Sequence, residues 1–88
     1  MTVPRTLTFQ RLIVPIGDRP QYLQRLRARR SYYRSASCHF WVFEETDLAG
    51  AFLEFIEAAD RETLAAALAG APDGVLEGAR VFGEVELD

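Results

Sequence analysis

Residues 36–57 have the sequence Ala36-Ser-Cys-His-Phe-Trp-Val-Phe-Glu-Glu-Thr-Asp-Leu-Ala-Gly-Ala-Phe-Leu-Glu-Phe-Ile-Glu57. The β-branched and aromatic residues of this stretch predict two strands, 37–45 and 50–58, joined by a short acidic turn. Large apolar side chains occupy both alternating sets of positions in both strands. Because successive strand residues point to opposite faces of a sheet, this stretch predicts a sheet that is apolar on both faces.

Two further strands are predicted outside this stretch. Residues 6–14 are rich in β-forming residues and end at Pro15, which cannot donate a hydrogen bond to a sheet. Residues 80–87 alternate between apolar and charged side chains over most of their length, which predicts a last strand.

Two helices are predicted between these strands. Asp18 and Gln21 have the spacing of a capping box, which predicts a helix from residue 19 to about residue 33. Asp60 is a favourable N-cap for a second helix over residues 61–69, which Gly70 should end. The order β-α-β-β-α-β predicts an α+β protein of the ferredoxin-like class, with a four-stranded antiparallel sheet and both helices on one of its faces.

The length and cysteine content limit how such a fold is stabilised. A chain of 88 residues predicts a single domain, residues 1–88, which buries only about 60–65% of its unfolded surface. Cys38 is the only cysteine and His39 the only histidine, so we expect no intrachain disulfide, no metal site and no cofactor. Association with a second copy is the remaining source of stability.

The charge and hydropathy exclude two classes of partner. The net charge of −3 argues against a nucleic-acid partner, because binding to phosphate normally needs a basic surface. The apolar runs are shorter than the ~20 residues that cross a bilayer, and the first residues lack the pattern of a secretion signal. We therefore expect a cytoplasmic protein that binds neither nucleic acid nor membrane.

The doubly apolar strands predict a homodimer. We expect His39, Trp41 and Phe43 to share one face with Phe52, Glu54, Ile56 and Phe82, and the helices to cover the other face. The uncovered face would exceed the few hundred Å² of apolar patch that soluble monomers usually expose. At ~25 cal/mol per Å², covering it in a sheet-to-sheet dimer contributes several kcal/mol, which is comparable with the stability of a small domain. A register slip of one residue would exchange the two faces and leave the need for a partner unchanged.

The strand–turn–strand of residues 40–57, followed directly by Ala58-Ala-Asp-Arg-Glu-Thr-Leu64, resembles the dimeric α+β barrel superfamily, particularly its antibiotic-biosynthesis-monooxygenase-like branch. The resemblance implies two subunits whose sheets pack into a barrel, with a cavity inside the barrel or between each sheet and its own helices. It also implies activities such as cofactor-independent oxygenation of aromatic substrates or haem degradation, without a family-wide catalytic motif. His39 does not match the haem-ligating histidine of the haem-degrading members.

A second stretch, Gly17-Asp-Arg-Pro-Gln-Tyr-Leu23, is similar to the Asp-x-Pro-Gly-x-Leu turn of ACT domains, which are small β-α-β-β-α-β modules that bind amino acids at subunit interfaces. Gln21 replaces the glycine that lets the backbone approach the ligand in those domains. This similarity implies the alternative function, a non-catalytic ligand-sensing or assembly module.

His39 is the candidate catalytic residue, because histidine alone titrates near neutral pH without help from its surroundings. A Glu54 carboxylate on the same face would make a proton-transfer pair beside aromatic walls, as in a cofactor-independent monooxygenase-like or isomerase-like enzyme. The competing interpretation is a strand-end histidine with a structural hydrogen bond at a subunit interface. The sequence leaves open whether the protein is an enzyme.

Aromatic side chains are the candidate walls of a ligand site. Together with Glu54, they would hold a small apolar or aromatic molecule, and the residues concerned are Trp41, Phe43, Phe52 and Phe82. Packing in the core or at the dimer interface is the competing interpretation for the same residues. Cys38 points away from His39 and is predicted to be a small buried apolar residue.

Basic residues gather near the end of the first predicted helix. Arg30 and Arg34, with Tyr33 between them, could bind an anion there. A solvated basic helix face is the competing interpretation, because the same helix also carries Arg25, Arg27 and Arg29.

Overall fold

The computed structural model describes residues 4–71 and 80–87. Over these residues the elements are β1 (Thr6–Ile13), α1 (Arg19–Ser35), β2 (His39–Glu44), β3 (Ala51–Ala58), α2 (Arg61–Ala69) and β4 (Phe82–Gly83). The strands of the described residues form one sheet in the order β2-β3-β1-β4, and each neighbouring pair is antiparallel. The predicted α+β, ferredoxin-like class is confirmed by this order.

Both helices pack on the same face of the sheet, which we call the helix face. One apolar cluster joins the first half of α1 to the sheet and contains Val14, Tyr22, Leu26 and Phe52. The other joins the end of α1 and all of α2 to the sheet and contains Tyr33, Cys38, Ile56, Ala58, Leu64 and Ala67. β3 contributes to both clusters because it lies between β1 and β2. Among the described residues, neither helix has the length and apolarity of a membrane-spanning segment.

The register of the β2–β3 hairpin differs from the predicted one. His39 lies opposite Glu57 and Trp41 opposite Phe55, so odd-numbered residues of the two strands share a face. The prediction that Phe52, Glu54 and Ile56 share a face with Trp41 is therefore wrong. The turn sets this register, since Glu45 N–H donates to the Ala51 carbonyl at 2.8 Å. Apolar patterning could not set it, because both faces of both strands are apolar.

The two helix starts also differ from each other. Asp60 is extended, and its Oδ1 accepts a 2.7 Å hydrogen bond from Thr63 N–H, so the predicted cap of α2 is confirmed. Asp18 precedes α1 but makes no side-chain capping bond, and the predicted capping box is absent. The reason is that Asp18 belongs to a 3₁₀ turn over Ile16–Asp18 and has helical backbone angles instead of the extended ones of a cap.

A Schellman motif ends α1, two residues later than predicted. Cys38 N–H donates to the Tyr33 carbonyl at 2.8 Å, and Ser37 N–H donates to the Arg34 carbonyl at 3.2 Å. Ser37 has φ +64°, the left-handed conformation that glycine usually provides at this position. α2 ends at Ala69 as predicted, with Gly70 as its C-cap.

The last strand is shorter than predicted. Of residues 80–87, strand structure is limited to Phe82–Gly83, which pair with Leu7 and Thr6. Thr8 lies beyond this pairing, and its Oγ1 donates to the Arg80 carbonyl at 2.6 Å. A side-chain hydrogen bond therefore takes the place of a backbone hydrogen bond between the two strands there. Glu84 N–H still donates to the Arg5 carbonyl at 2.8 Å, but β1 begins at Thr6, so the strand pairing ends at Gly83.

Candidate functional site

The sheet surface that faces away from the helices carries a band of aromatic rings, which we call the aromatic face. It contains Phe9, Trp41, Phe43, Phe55 and Phe82. Ring centroids are 5.4 Å apart for Phe9 and Phe55, 5.4 Å for Phe9 and Phe82, and 5.8 Å for Phe43 and Phe55. Trp41 is 47% exposed and Phe43 is 54% exposed. The band therefore crosses the sheet from β2 to β4 as a continuous apolar surface.

The predicted site residues do not form one site. His39, Trp41, Phe43 and Phe82 lie on the aromatic face, whereas Phe52 and Glu54 lie on the helix face and are buried there. The predicted grouping of Phe52 and Glu54 with Trp41 is wrong because β3 is displaced by one residue from the register on which that grouping rested.

His39 has a different carboxylate neighbour from the one predicted. Glu57 lies directly opposite it, and Glu57 accepts a 3.4 Å hydrogen bond from Arg5. The predicted His39–Glu54 pair is absent because Glu54 lies opposite Val42, on the other side of the sheet. The His39 ring lies 5.9 Å from the Trp41 ring, and no hydrogen bond from it is formed within residues 4–71 and 80–87.

A buried polar cluster lies on the helix face around Glu54, which is 2% exposed. Tyr22 OH donates to Glu54 Oε2 at 2.7 Å, and Arg29 Nη1 donates to Glu54 Oε1 at 2.6 Å. Gln10 Nε2 approaches the same Oε1 at 3.4 Å. Burial, and then the hydrogen bond to Glu54, raise the pKa of Tyr22 well above its ordinary value. The cluster holds a carboxylate in the apolar layer by giving both of its oxygens a strong donor.

The sequence-based interpretation missed this cluster. It placed Arg29 on a solvated face of the first helix, although Arg29 follows buried Tyr22 by seven residues, or about two turns. Residues at i and i+7 share a helix face, so this spacing is the signal that locates Arg29 beside the sheet.

A second ion pair joins the start of α1 to the β2–β3 turn. Arg19 donates to both oxygens of Glu44, at 2.7 and 3.0 Å, and Gly50 N–H donates to Glu44 Oε2 at 2.9 Å. The Arg19 guanidinium and then the Gly50 N–H lower the pKa of Glu44 to about 2. The Arg19 guanidinium carbon also lies 5.4 Å from the centre of the Phe52 ring. This pair fixes the turn that determines the hairpin register.

Two adjoining cavities lie between α1 and β2, and we call them together the α1–β2 groove. One has a volume of about 260 Å³ and is lined by Leu23, Leu26, Arg27, Arg30, Phe40 and Val42. The other has a volume of about 400 Å³ and is lined by Arg30, Arg34, Ser37, Cys38, His39 and Phe40. The cavities meet at Arg30 and Phe40, which line both of them.

Two of the three residues predicted to bind an anion near the end of α1 line this groove. Arg30 and Arg34 line the larger cavity and are exposed. Tyr33 is buried and stacks on Phe40, with ring centroids 5.7 Å apart and planes at 12°. Tyr33 therefore supports the floor of the groove from below, and Arg30 and Arg34 are the members of the set that line the cavity.

Cys38 is buried, as the sequence predicts. Burial, and secondarily the negative charge of Asp60, raise the pKa of its thiol. A thiol in this state is a poor nucleophile. Within residues 4–71 and 80–87, no three His, Cys, Asp or Glu side chains come together in a set that could hold a metal ion.

Comparisons with known proteins show similarity of fold. No protein-family model matches the chain, and no curated protein sequence matches it. A solved structure of a conserved protein of unknown function from Bacteroides thetaiotaomicron, described as a possible oxidoreductase, is 15% identical with a TM-score of 0.66, over 96% of each chain.

Two further solved structures are similar over nearly the whole chain. Rv0793 from Mycobacterium tuberculosis is 18% identical with a TM-score of 0.66, over 97% of this chain and 96% of that one. PA3566 from Pseudomonas aeruginosa is 16% identical with a TM-score of 0.63, over 100% of this chain and 98% of that one. The chain is thus similar in fold to small α+β proteins, one of them described as a possible oxidoreductase.

Proposed function

We propose that the protein is a homodimer of the dimeric α+β barrel type, similar to antibiotic-biosynthesis monooxygenases, that holds a small apolar or aromatic molecule. The aromatic face is the observation that carries this proposal. Its phenylalanine rings are in contact with one another, and several are about half exposed in the protomer, at 42% for Phe9 and 43% for Phe82. A soluble monomer rarely leaves a contiguous apolar band of this kind in water.

The energy of covering the aromatic face supports the dimer. Ile13 on the same face is 60% exposed, and beyond β4 Val85 and Leu87 add further exposed apolar side chains. A standard interface buries about 800 Å² on each partner, and each apolar Å² contributes about 25 cal/mol. A second copy packed on this face would therefore supply a stabilisation as large as that of a small domain.

The ligand site of this proposal lies between the sheet of one subunit and the sheet of the other. Trp41, Phe43 and Phe82 would provide flat apolar walls there, and such walls suit a flat apolar molecule. His39, beside Trp41 at the end of β2, is the proposed proton-handling residue of a cofactor-independent oxygenase-like or isomerase-like reaction. Phe52 and Glu54 take no part in this site, because they lie on the helix face.

A non-catalytic ligand-sensing or assembly module is the second candidate function. The observation that favours it is that His39 forms no hydrogen bond to a carboxylate within the described part of the chain. A histidine that acts as a general base usually has a group that orients its ring.

Light scattering at micromolar concentration tests the dimer. The expected mass is about twice the 9.9 kDa of one chain. Trp41→Glu should give the mass of a monomer, because it places a charge on the aromatic face, within the proposed interface. The matched control is Leu48→Glu, since Leu48 in the β2–β3 turn is also 47% exposed but lies off the aromatic face. A monomeric wild-type protein, or a Trp41→Glu variant that stays dimeric, would contradict the proposal.

Fluorescence tests the ligand site, because Trp41 is the only tryptophan. Titration with 2-naphthol should quench or shift Trp41 emission in the wild type, and Phe43→Ala should weaken that binding. His39→Gln should preserve binding in either function but abolish turnover of a substrate if the protein is an enzyme. Binding that is unaffected by Phe43→Ala would place the ligand elsewhere.

A further inference from the structure

The α1–β2 groove differs from the rest of the molecule in its charge. Within the described residues its lining contains arginines, Ser37 and His39 but no carboxylate. The ion pairs of the described residues use Arg5, Arg11, Arg19 and Arg29, and none involves the arginines of the groove. In a chain of net charge −3, positive charge is thus concentrated along one groove, where no ion pair within residues 4–71 and 80–87 neutralises it.

Helical spacing aligns these arginines along the groove. Arg27, Arg30 and Arg34 follow one another at intervals of three and four residues, so their side chains emerge from one stripe of α1. Leu23 begins the same stripe and Leu26 lies beside it, and both line the smaller cavity. The stripe is therefore apolar toward the start of α1 and cationic toward its end.

The floor of the groove is apolar along its length. Phe40 lines both cavities, is held from below by the Tyr33 ring, and is followed by Val42 at the apolar end. Pre-packed rings of this kind provide a flat surface without further loss of side-chain freedom when a ligand binds. The Schellman motif at residues 33–38 has already satisfied α1 carbonyls near the cationic end, which reduces their repulsion of an anion.

We propose that the α1–β2 groove binds a small amphipathic carboxylate. The carboxylate lies between Arg30 and Arg34, and the apolar body lies on Phe40, Val42 and Leu23. Guanidinium groups match carboxylates through paired N–H donors, which gives this end its specificity. The cavities, of about 260 and 400 Å³, fit a ligand of one or two rings or a medium acyl chain. The site shares His39 with the aromatic face, but Phe40 and Val42 lie on the opposite side of β2 from Trp41, and the site does not depend on the proposed dimer.

Calorimetric titration with 2-naphthoate tests the proposal, with 2-naphthamide as the neutral analogue of the same shape and inorganic phosphate as an anion without an apolar body. We expect 2-naphthoate to bind at least about tenfold more tightly than either. Arg30→Gln combined with Arg34→Gln should weaken 2-naphthoate by about tenfold or more, which is ~1.4 kcal/mol. Arg25→Gln is the matched control, since Arg25 is exposed on the opposite side of α1 and should leave the affinity within about twofold.

Amide chemical-shift changes on titration provide the second measurement and should cluster at residues 37–42. Equal binding of 2-naphthoate by the wild type and the double variant would overturn the proposal. So would equal binding of 2-naphthamide and 2-naphthoate, or the absence of 2-naphthoate binding up to about 1 mM. Equal affinities for inorganic phosphate and 2-naphthoate would show that the apolar floor has no role in binding, which would also contradict the proposal. A monomeric wild-type protein would contradict the homodimer but would leave each of these outcomes unaffected.

Discussion

Arg29 Nη1 lies 2.6 Å from Glu54 Oε1 in the layer between α1 and the sheet, where the two side chains are only 13% and 3% exposed. The pair joins the middle of α1 to the central part of β3. With the Tyr22 hydroxyl on the other carboxylate oxygen, it forms a buried polar link inside an otherwise apolar layer. Such a link determines which face of α1 rests on the sheet, because only one rotation of the helix brings both donors to Glu54.

Glu54→Gln should lower the free energy of unfolding by about 3 kcal/mol, because it removes the carboxylate charge beside the mostly buried Arg29 guanidinium. The matched control is Glu45→Gln. Glu45 pairs with Arg11 at 3.2 Å, but those side chains are 50% and 48% exposed, so the expected cost is below about 1 kcal/mol. Urea denaturation at one fixed protein concentration measures both. Equal costs for the two variants would show that the Glu54 cluster does not stabilise the fold.

Gly50→Ala should destabilise the protein by about 2 kcal/mol or more. Gly50 has φ +92°, and a Cβ there would lie 2.6 Å from the Val14 carbonyl oxygen, which belongs to backbone that cannot move freely. Gly17→Ala is the control, because a Cβ at Gly17 meets nothing within 4 Å. Its expected effect is within about 0.5 kcal/mol. Thermal unfolding compares the two variants, and an equal loss for both would contradict the close approach of Gly50 to Val14.

Ser37→Gly should stabilise the protein by about 1 kcal/mol, because Ser37 holds φ +64° at the end of α1 and glycine adopts this conformation without a steric cost. Ser31→Gly is the control for the loss of a serine side chain. Ser31 is exposed inside α1, so glycine there should destabilise by up to about 1 kcal/mol. Opposite signs for the two substitutions are expected in chemical denaturation. Destabilisation by both would mean that α1 does not end in a Schellman motif.

The Glu44 ion pair should make stability depend on pH in the acid range. Arg19 and the Gly50 N–H lower the pKa of Glu44 from 4.5 to about 2 in the folded state. A lowered folded-state pKa means that the contribution is fully present above about pH 4.5 and is lost as the pH falls toward 2. The difference in unfolding free energy between wild type and Glu44→Gln should therefore be constant near neutral pH and should shrink over that window.

Denaturation series between pH 2 and pH 7 measure that difference in unfolding free energy. The difference isolates Glu44, because the other carboxylates affect both proteins alike. Asp60 and Glu84 also have lowered pKa values, through the Thr63 N–H and Arg5 respectively, and comparison with Glu44→Gln removes their effect. A difference that grows as the pH falls would contradict the ion pair.

The candidate site could be predicted only in part from the sequence. Trp41 and Phe43 were expected to leave the helix-covered core, and they lie on the aromatic face. Glu54 was expected beside His39, and it lies on the other face, joined to Tyr22 and Arg29. The α1 arginines carry the same charge and similar spacing in the sequence, so composition could not show that Arg29 is mostly buried while Arg30 borders an open groove.

The sequence by itself determined the order of the elements and their class. The β-forming runs, the Asp60 cap and the apolar stripes are local signals, and local signals suffice to define strands and helices. Only the tertiary structure decided the hairpin register, because strands that are apolar on both faces pack equally well in two registers until a turn selects one. The bonds of Glu45 and Glu44 to residues 50–51 select it, and that selection places Glu54 in the core and leaves His39 and Trp41 at the surface.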